Sequence, residues 1–336
     1  MSLSMDSPAV EAAENAAATP ALAVDGLKCH FPVKRGMLHA VDGVSLAIGQ
    51  GESVGLVGES GCGKSTLVRV IARLIDPTGG SIRYLGDEIG GITARRFGTR
   101  PERAKIQVVF QDPTDSLNPH MRAAEAIADP IGRLRRNLTR AEVAARVDTI
   151  ARECGLPPEL LDRYPHQLSG GQKARVGIAR ALGPEPDIVI LDEPTSALDV
   201  SVQAVILRLL ADLRKRLGVS YLFVSHDLNV VRLLCDRVAV MYLGKIVEIA
   251  PTDELFERPR HPYTRALIDA IPGRGSARHH LGGEPRSPID PDPNVCRFYG
   301  RCPRGESLCE TKAPQLAPQG APHQAACHFP LETPNR

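Results

Sequence analysis

Nine consecutive residues, Gly58-Glu59-Ser60-Gly61-Cys62-Gly63-Lys64-Ser65-Thr66, constrain the fold of this chain more than any others. They fit the spacing G-x-x-x-x-G-K-[ST], and they stand between an apolar run, Gly51 to Gly58, that reads as a buried strand and a segment, Lys64 to Ile75, that reads as a helix. The glycines let the backbone wrap a polyphosphate with its N–H groups turned inward, and the helix adds the positive end of its dipole. Lys64 is placed to reach the β and γ phosphates as a point charge, and the Ser65 hydroxyl to complete an octahedral Mg²⁺ shell. Without the flanking strand and helix, the same string would be a glycine-rich turn.

A strand–loop–helix unit needs a sheet behind it, and the chain supplies further strand signals at Ile106 to Phe110, Asp187 to Leu191 and Tyr221 to Ser225. Longer amphipathic segments separate them, which defines an α/β class with a parallel-sheet core. The run Ile188-Val189-Ile190-Leu191-Asp192-Glu193 is an apolar strand ending in two carboxylates. Ligands sit at such strand ends. Beside a phosphate loop, Asp192 would hold Mg²⁺ through its water shell, and Glu193 could align or deprotonate a water that attacks the γ phosphate.

The 336 residues suffice for one large or two modest domains. Residues 1–20 are Ala-rich and read as a loose leader, 21–250 as the main domain with a helical insertion over about 115–181, and 251–336 as a separate irregular extension rich in Pro and Gly. Lys and Arg number 41 against 39 Asp and Glu, and they are scattered, so nucleic acid is not the expected partner. No apolar stretch approaches the ~18 residues of a spanning helix, and the first residues lack a signal-peptide pattern; a cytoplasmic location is expected.

At Leu168-Ser169-Gly170-Gly171-Gln172 a more specific pattern enters, followed by Arg175 and Ala179-Arg180-Ala181-Leu182. With Gln111 in VVFQDP, Ser196-Ala197-Leu198-Asp199, and His226 in FVSHD, it resembles the motif set of ATP-binding-cassette proteins, over about Ala21 to Ala250. The resemblance implies a P-loop NTPase cassette with a parallel-sheet core, an antiparallel β subdomain and a helical subdomain, binding ATP and Mg²⁺. It implies that Ser169, Gly170, Gly171 and Gln172 face the phosphate loop of a second cassette, so that two nucleotides are sandwiched between two chains. His226 would contact the γ phosphate and orient Glu193, Asp199 would communicate with the opposing site, and Gln111 would sense Mg²⁺ and couple to membrane subunits. Phe31 stands where the family has an aromatic ring stacked on adenine; otherwise it is a core Phe on an early strand.

Three further segments, FPVKRGMLHAVDGVSL, FQDPTDSLNP and HPYTRALIDAIP (from His261), are similar to ATPases of bacterial dipeptide and oligopeptide importers. That resemblance implies a subunit, peripheral on the cytoplasmic face of the inner membrane, that energises uptake of peptides or related solutes such as nickel complexes or glutathione. Its partners would be two permease subunits, a second ATPase chain of the same or another kind and, indirectly, an external solute-binding protein. A soluble cassette ATPase of DNA repair or translation is the competing reading; it would call for a long coiled-coil insertion or a second cassette, and neither appears in the sequence. In a third reading the Cys-rich tail is a metal-sensing module and ATP turnover is incidental, which intact Glu193 and His226 weigh against.

Of eight cysteines, Cys296, Cys302, Cys309 and Cys327 crowd into the extension with the spacing C-x5-C-x6-C-x17-C. Thiolates in a reducing compartment suit Zn²⁺ or an iron–sulfur cluster, with metal-free thiols as the alternative. Members of the importer branch with a similar pattern have been linked to a [4Fe–4S] cluster. His323 and His328 stand near enough in sequence to substitute as ligands, whereas Cys29, Cys62, Cys154 and Cys235 read as small fillers.

Overall fold

The structure, a computed structural model, describes residues 19–271, 282–318 and 320–332. All of the expected leader except Thr19 and Pro20 lies outside them. The described strands are β1 (Leu22–Val33), β2 (Gly36–Ile48), β3 (Ser53–Val57), β4 (Gly79–Tyr84), β5 (Asp87–Glu88), β6 (Ile106–Val109), β7 (Ile188–Asp192), β8 (Ser220–Val224), β9 (Arg237–Tyr242), β10 (Lys245–Pro251) and β11 (Gln324–Ala325). They form two sheets, a four-stranded one in the order β2-β1-β4-β5 and a seven-stranded one in the order β11-β10-β9-β3-β8-β7-β6. The first is antiparallel throughout. In the second, β9, β3, β8, β7 and β6 run parallel, and β10 and β11 add an antiparallel edge.

The central strands are buried on both faces, as expected of a parallel sheet covered by other layers. Their alternation assigns each face to a core. Val189, Leu191, Tyr221 and Phe223 join the core shared with the helices, whereas Ile188, Ile190, Leu222 and Val224 join the core shared with the antiparallel sheet. Helix α1 (Lys64–Ile71) packs into the second core through Leu67, Val68, Val70 and Ile71. It ends short of the expected Ile75 because Arg73 turns left-handed (φ 56°), its buried guanidinium donating to Asp76 Oδ1 at 2.9 Å and to the Ile92 carbonyl.

Between β6 and β7 the described residues are helical or irregular, with α2 (Ala123–Leu134), α3 (Arg140–Glu153) and α4 (Gly170–Leu182) forming a helical layer. Thr139 starts α3 with a capping box to Glu142. Two more helices, α5 (Val200–Leu217) and α6 (Leu228–Leu234), lie in the stretch from β7 to β9.

The extension is irregular over most of residues 282–332, as expected, but it is packed against the cassette and is not a separate appendage. It forms helices α7 (Thr252–Glu257) and α8 (Pro262–Asp269), and β11 extends the main sheet beyond β10. Its Phe298 is 1% exposed and meets Tyr263 and Tyr242 with ring centroids 5.5 and 5.3 Å away. Glu248 of β10 is fully buried, accepting from the Arg260 and His261 N–H groups at 2.6 and 2.9 Å and lying 2.7 Å from His323 Nε2. These aromatic and buried polar anchors tie the Pro-rich chain to the cassette without long regular elements, so hydrophobic periodicity gives no sign of them.

Candidate functional site

Four adjacent parallel strands, in the sheet order β3-β8-β7-β6, bring the expected chemistry to one edge. The phosphate loop follows Val57, His226 lies two residues beyond Val224, Asp192 closes β7 with Glu193 next, and Gln111 lies two residues beyond Val109.

The loop can be built only with glycine at two points. Gly58 and Gly63 have φ of 153° and 108°, and a Cβ on them would stand 2.2 Å from the Met241 carbonyl oxygen and 2.1 Å from that of Ala40. Gly63 caps α1 without a side-chain hydrogen bond, leaving the first N–H groups of the helix facing the loop. Lys64 donates from Nζ to the Gly58 and Glu59 carbonyls at 2.7 and 3.0 Å, so its charge is held over the loop. Cys62 is buried beside it, and burial pushes the thiol up, which suits a filler.

Glu193 takes a left-handed backbone (φ 46°), and its N–H donates to the Val224 carbonyl at 3.0 Å. Its Oε2 receives Gln111 Nε2 at 3.2 Å and lies 3.2 Å from His226 Nδ1. Gln111, Glu193 and His226 thus meet, and with Ser60, Gly61, Gly63, Lys64 and Ser65 they line one cleft. Ser65, Gln111 and Asp192 also border an adjoining cleft of about 610 Å³. Their hard oxygen donors are the kind that Mg²⁺ takes. Burial, reinforced by the neighbouring Glu193 charge, raises the Asp192 carboxyl above the usual range.

Other expected residues stand apart from this cleft. Phe31, half-buried on β1 opposite Leu38, packs on the core of the antiparallel sheet, and it is Leu38, His39 and Ala40 of β2 that line the cleft. Ser169 is the exposed N-cap of α4, accepting from Gln172 N at 3.3 Å while Gln172 Oε1 accepts from Ser169 N at 2.9 Å. Gly170 and Gly171 leave room for the following segment: Cβ atoms there would lie 3.2 Å from Leu198 Cδ2 and 2.7 Å from Val202 Cγ1. Asp199 caps α5, accepting from Val202 N at 3.0 Å and from the Ser201 hydroxyl at 2.6 Å. None of these residues lines the clefts beside Lys64.

Sequence reasoning missed the contacts that the extension makes with the phosphate loop. The Glu59 N–H donates to the Tyr263 hydroxyl at 2.8 Å, and Arg301 grips the Glu59 carboxylate bidentately at 2.9 and 3.1 Å while donating to the Tyr242 hydroxyl at 3.1 Å. Tyr263 belongs to the singled-out HPYT segment; Arg301 carried no signal of its own. On β2, Asp42 pairs with Arg297 of the extension and with Lys245 at 3.7 Å, and lies 3.3 and 3.6 Å from His30 and His39 nitrogens. His30, His39 and Asp42 are the only trio among the described residues with donor atoms all within 4.8 Å, but the two cations already on that carboxylate oppose a metal ion.

Cys296, Cys302, Cys309 and Cys327 are all free thiols, and the Cys296 N–H donates to the Cys309 carbonyl at 2.8 Å. Burial pushes Cys296, Cys302 and Cys327 up, the last to about 11, and the neighbouring cysteines add to each rise. His323 is committed elsewhere, to Glu248 and, at 3.3 Å, to Glu254, and His328 Nε2 lies 2.7 Å from the Lys312 carbonyl. His323 thereby has both ring nitrogens engaged, and His328 has its Nε2 engaged. Among the described residues, no helix is long and apolar enough to cross a membrane.

A strand, a glycine-walled phosphate loop and a helix, with carboxylates on the neighbouring strand ends, define a P-loop nucleoside triphosphatase. Residues 41–196 match the family model described as ABC transporter, and residues 247–309 match that of the oligopeptide/dipeptide transporter C-terminal region. The oligopeptide transport ATP-binding protein OppF of Escherichia coli is 45% identical over 310 residues, covering 88% of this chain and 92% of the relative. A Brucella ovis protein, whose name provisionally makes it a peptide import ATP-binding protein, is 46% identical over 313 residues, covering 92% of this chain and 98% of the relative. Among solved structures, the ATP-binding cassette MJ0796, described as dimeric, in a post-hydrolysis state and bound to ADP and Pi, matches with a TM-score of 0.63 at 30% identity, over 69% of this chain and 98% of that one. The chain belongs to the ATPase subunits of ABC transporters, in the branch that carries the oligopeptide/dipeptide C-terminal region.

Proposed function

We propose that this chain hydrolyses ATP to energise uptake of dipeptides or oligopeptides through partner permease subunits, with a cassette over 21–250 and the extension over 251–336. The observation that carries the reading is the convergence of Gln111, Glu193 and His226 beside Lys64, at the ends of four adjacent strands. In it, residues Gly58 to Thr66 cradle the phosphates, Ser65, Gln111 and Asp192 hold Mg²⁺, and Glu193 aligns or deprotonates the attacking water, oriented by His226. Phe31 remains the base-stacking candidate, on β1 opposite the Leu38 that lines the cleft.

Ser169 through Gln172 and Asp199 lie outside the chain's own phosphate cleft, which supports their acting on the nucleotide of a second cassette, in a homodimer or heterodimer. The dimeric form of MJ0796 supports the same arrangement. Two permease subunits and an external binding protein complete the importer, placing this chain peripherally on the cytoplasmic face of the inner membrane.

We further propose that Cys296, Cys302, Cys309 and Cys327 hold a [4Fe–4S] cluster in preference to Zn²⁺. Zn–S bonds of ~2.3 Å would hold tetrahedral sulfurs only about 3.8 Å apart, whereas no three of these sulfurs lie within 4.8 Å of one another. The four thiolates would hold the cluster, and its irons would stabilise the ionised sulfurs that burial disfavours.

The test of the enzymatic reading is Glu193→Gln. Retained ATP binding with turnover down at least about a hundredfold supports it; near-normal hydrolysis refutes the role of Glu193.

A further inference from the structure

The cleft that holds the phosphate loop has one wall that does not come from the cassette. Its lining combines Gly61 to Thr66, Glu193 and His226 with Leu38 and His39 of β2, Leu243, and Pro288 of the extension. A nucleotide gripped by its phosphates at the loop leaves its ribose and base to the rest of this lining, where Leu38, His39 and Pro288 supply the larger side chains.

Pro288 is held there by a built junction. The His39 N–H donates to the Pro288 carbonyl at 2.9 Å, and Leu38 and Ile289 form an antiparallel bridge. The Asp290 N–H donates to the Met37 carbonyl at 2.9 Å, while Asp290 Oδ1 accepts from the Met37 N–H at 3.0 Å. Residues 288–290 are therefore held along β2 by one antiparallel bridge and its flanking hydrogen bonds, beside the cleft. The hairpin is shaped to receive them: Gly36 has φ 130°, and a Cβ on it would stand 1.7 Å from Asp290 Oδ2. Ser287 Oγ accepts from the Ile289 N–H at 3.1 Å, fixing the turn that enters this bridge.

We infer that the segment 287–290 of the extension is part of the nucleotide site, closing its base side in cis so that the nucleoside is enclosed between Pro288 and the Leu38–His39 edge of β2. This segment then contributes to affinity for the nucleoside, while the hold on the phosphates stays with the loop and the residues that brace it. Proline suits the place, because an apolar ring of fixed φ makes a rigid wall against a flat base. The inference rests on a nucleotide occupying this cleft.

The test compares ATP with inorganic triphosphate, both with Mg²⁺, by calorimetric titration of the purified full-length protein. Pro288→Gly removes the wall and Asp290→Ala releases its anchor; thermal denaturation establishes that each variant is folded. The expected result is an ATP dissociation constant raised about tenfold with triphosphate binding unchanged, so that the preference for ATP over triphosphate shrinks by the same factor. Pro288→Trp, which fills the cleft from that wall, should weaken ATP further and still spare triphosphate. Unchanged ATP affinity in Pro288→Gly and Asp290→Ala, or equal weakening of both ligands, would overturn the inference. Failure of the wild-type protein to bind triphosphate at all would instead refute the phosphate-loop assignment beneath it, and the inference with it.

Discussion

Arg301→Met perturbs the phosphate loop from a position 242 residues away in sequence. Arg301 is 7% exposed and Glu59 33%, so the pair is neither a surface ion pair, worth 0 to about 1 kcal/mol, nor a fully buried one, whose disruption costs roughly 3 to 5 kcal/mol. An intermediate loss of about 2 kcal/mol should lower the melting temperature by about 3 to 5 °C. The effect on nucleotide is separate. Met replaces the guanidinium with an apolar chain and leaves the Glu59 carboxylate uncompensated on the loop. At a separation on the order of 8 Å and an effective dielectric of about 40, each unit of phosphate charge is repelled by ~1 kcal/mol. For MgATP, with a net charge of about −2, the dissociation constant should rise at least about tenfold at low salt, and less at high salt. Calorimetric titration of Arg301→Met beside the double variant Arg301→Met with Glu59→Gln isolates the charge, since the amide should restore most of the affinity. A double variant that binds MgATP as weakly as the single one, or a single variant that melts early yet binds normally, would refute the electrostatic reasoning.

Lys64→Ala should weaken ATP at least about tenfold by removing a charged phosphate contact, measurable by equilibrium dialysis, and unchanged affinity would count against the loop. His261, 1% exposed and pushed down by burial to about 4, is neutral in the folded state, whereas the unfolded side chain titrates near its ordinary value of about 6.5. The stability this contributes is full above about pH 6.5 and falls as acid drives the pH towards 4, by about 3 kcal/mol in all. Urea unfolding at pH 7.5 and 4.5 should show a smaller drop for His261→Asn, which keeps an acceptor at the N-cap of α8, and an identical drop would contradict the assignment. Anaerobically purified protein should carry about four irons and matching labile sulfide per chain, lost in Cys302→Ser, while stoichiometric zinc without iron would reject the cluster.

The parts of the site that sequence discloses are those where chemistry and local backbone coincide. The phosphate loop is legible because Gly58 and Gly63 must be glycine, and β7 because an apolar run ends in Asp192 and Glu193. The meeting of Gln111, Glu193 and His226 follows from strand order, which the motifs imply only through the family resemblance. The seat of the extension was not legible. Its anchors are single residues, Tyr263, Pro288, Asp290 and Arg301, whose partners lie far away in sequence and belong to no periodic pattern. Loss of regular structure after Pro251 therefore reads as separation, whereas buried Glu248 and the aromatic contacts of Phe298 knit the segment to the cassette.

ATP hydrolysis and peptide accumulation measured in the same vesicles, reconstituted with the permease subunits, this chain and any partner ATPase, and supplied with loaded binding protein, test the central claim most directly. With Glu193→Gln, both rates should collapse together while nucleotide still binds. Peptide uptake at the wild-type rate in that variant would show that the Glu193 site does not drive transport.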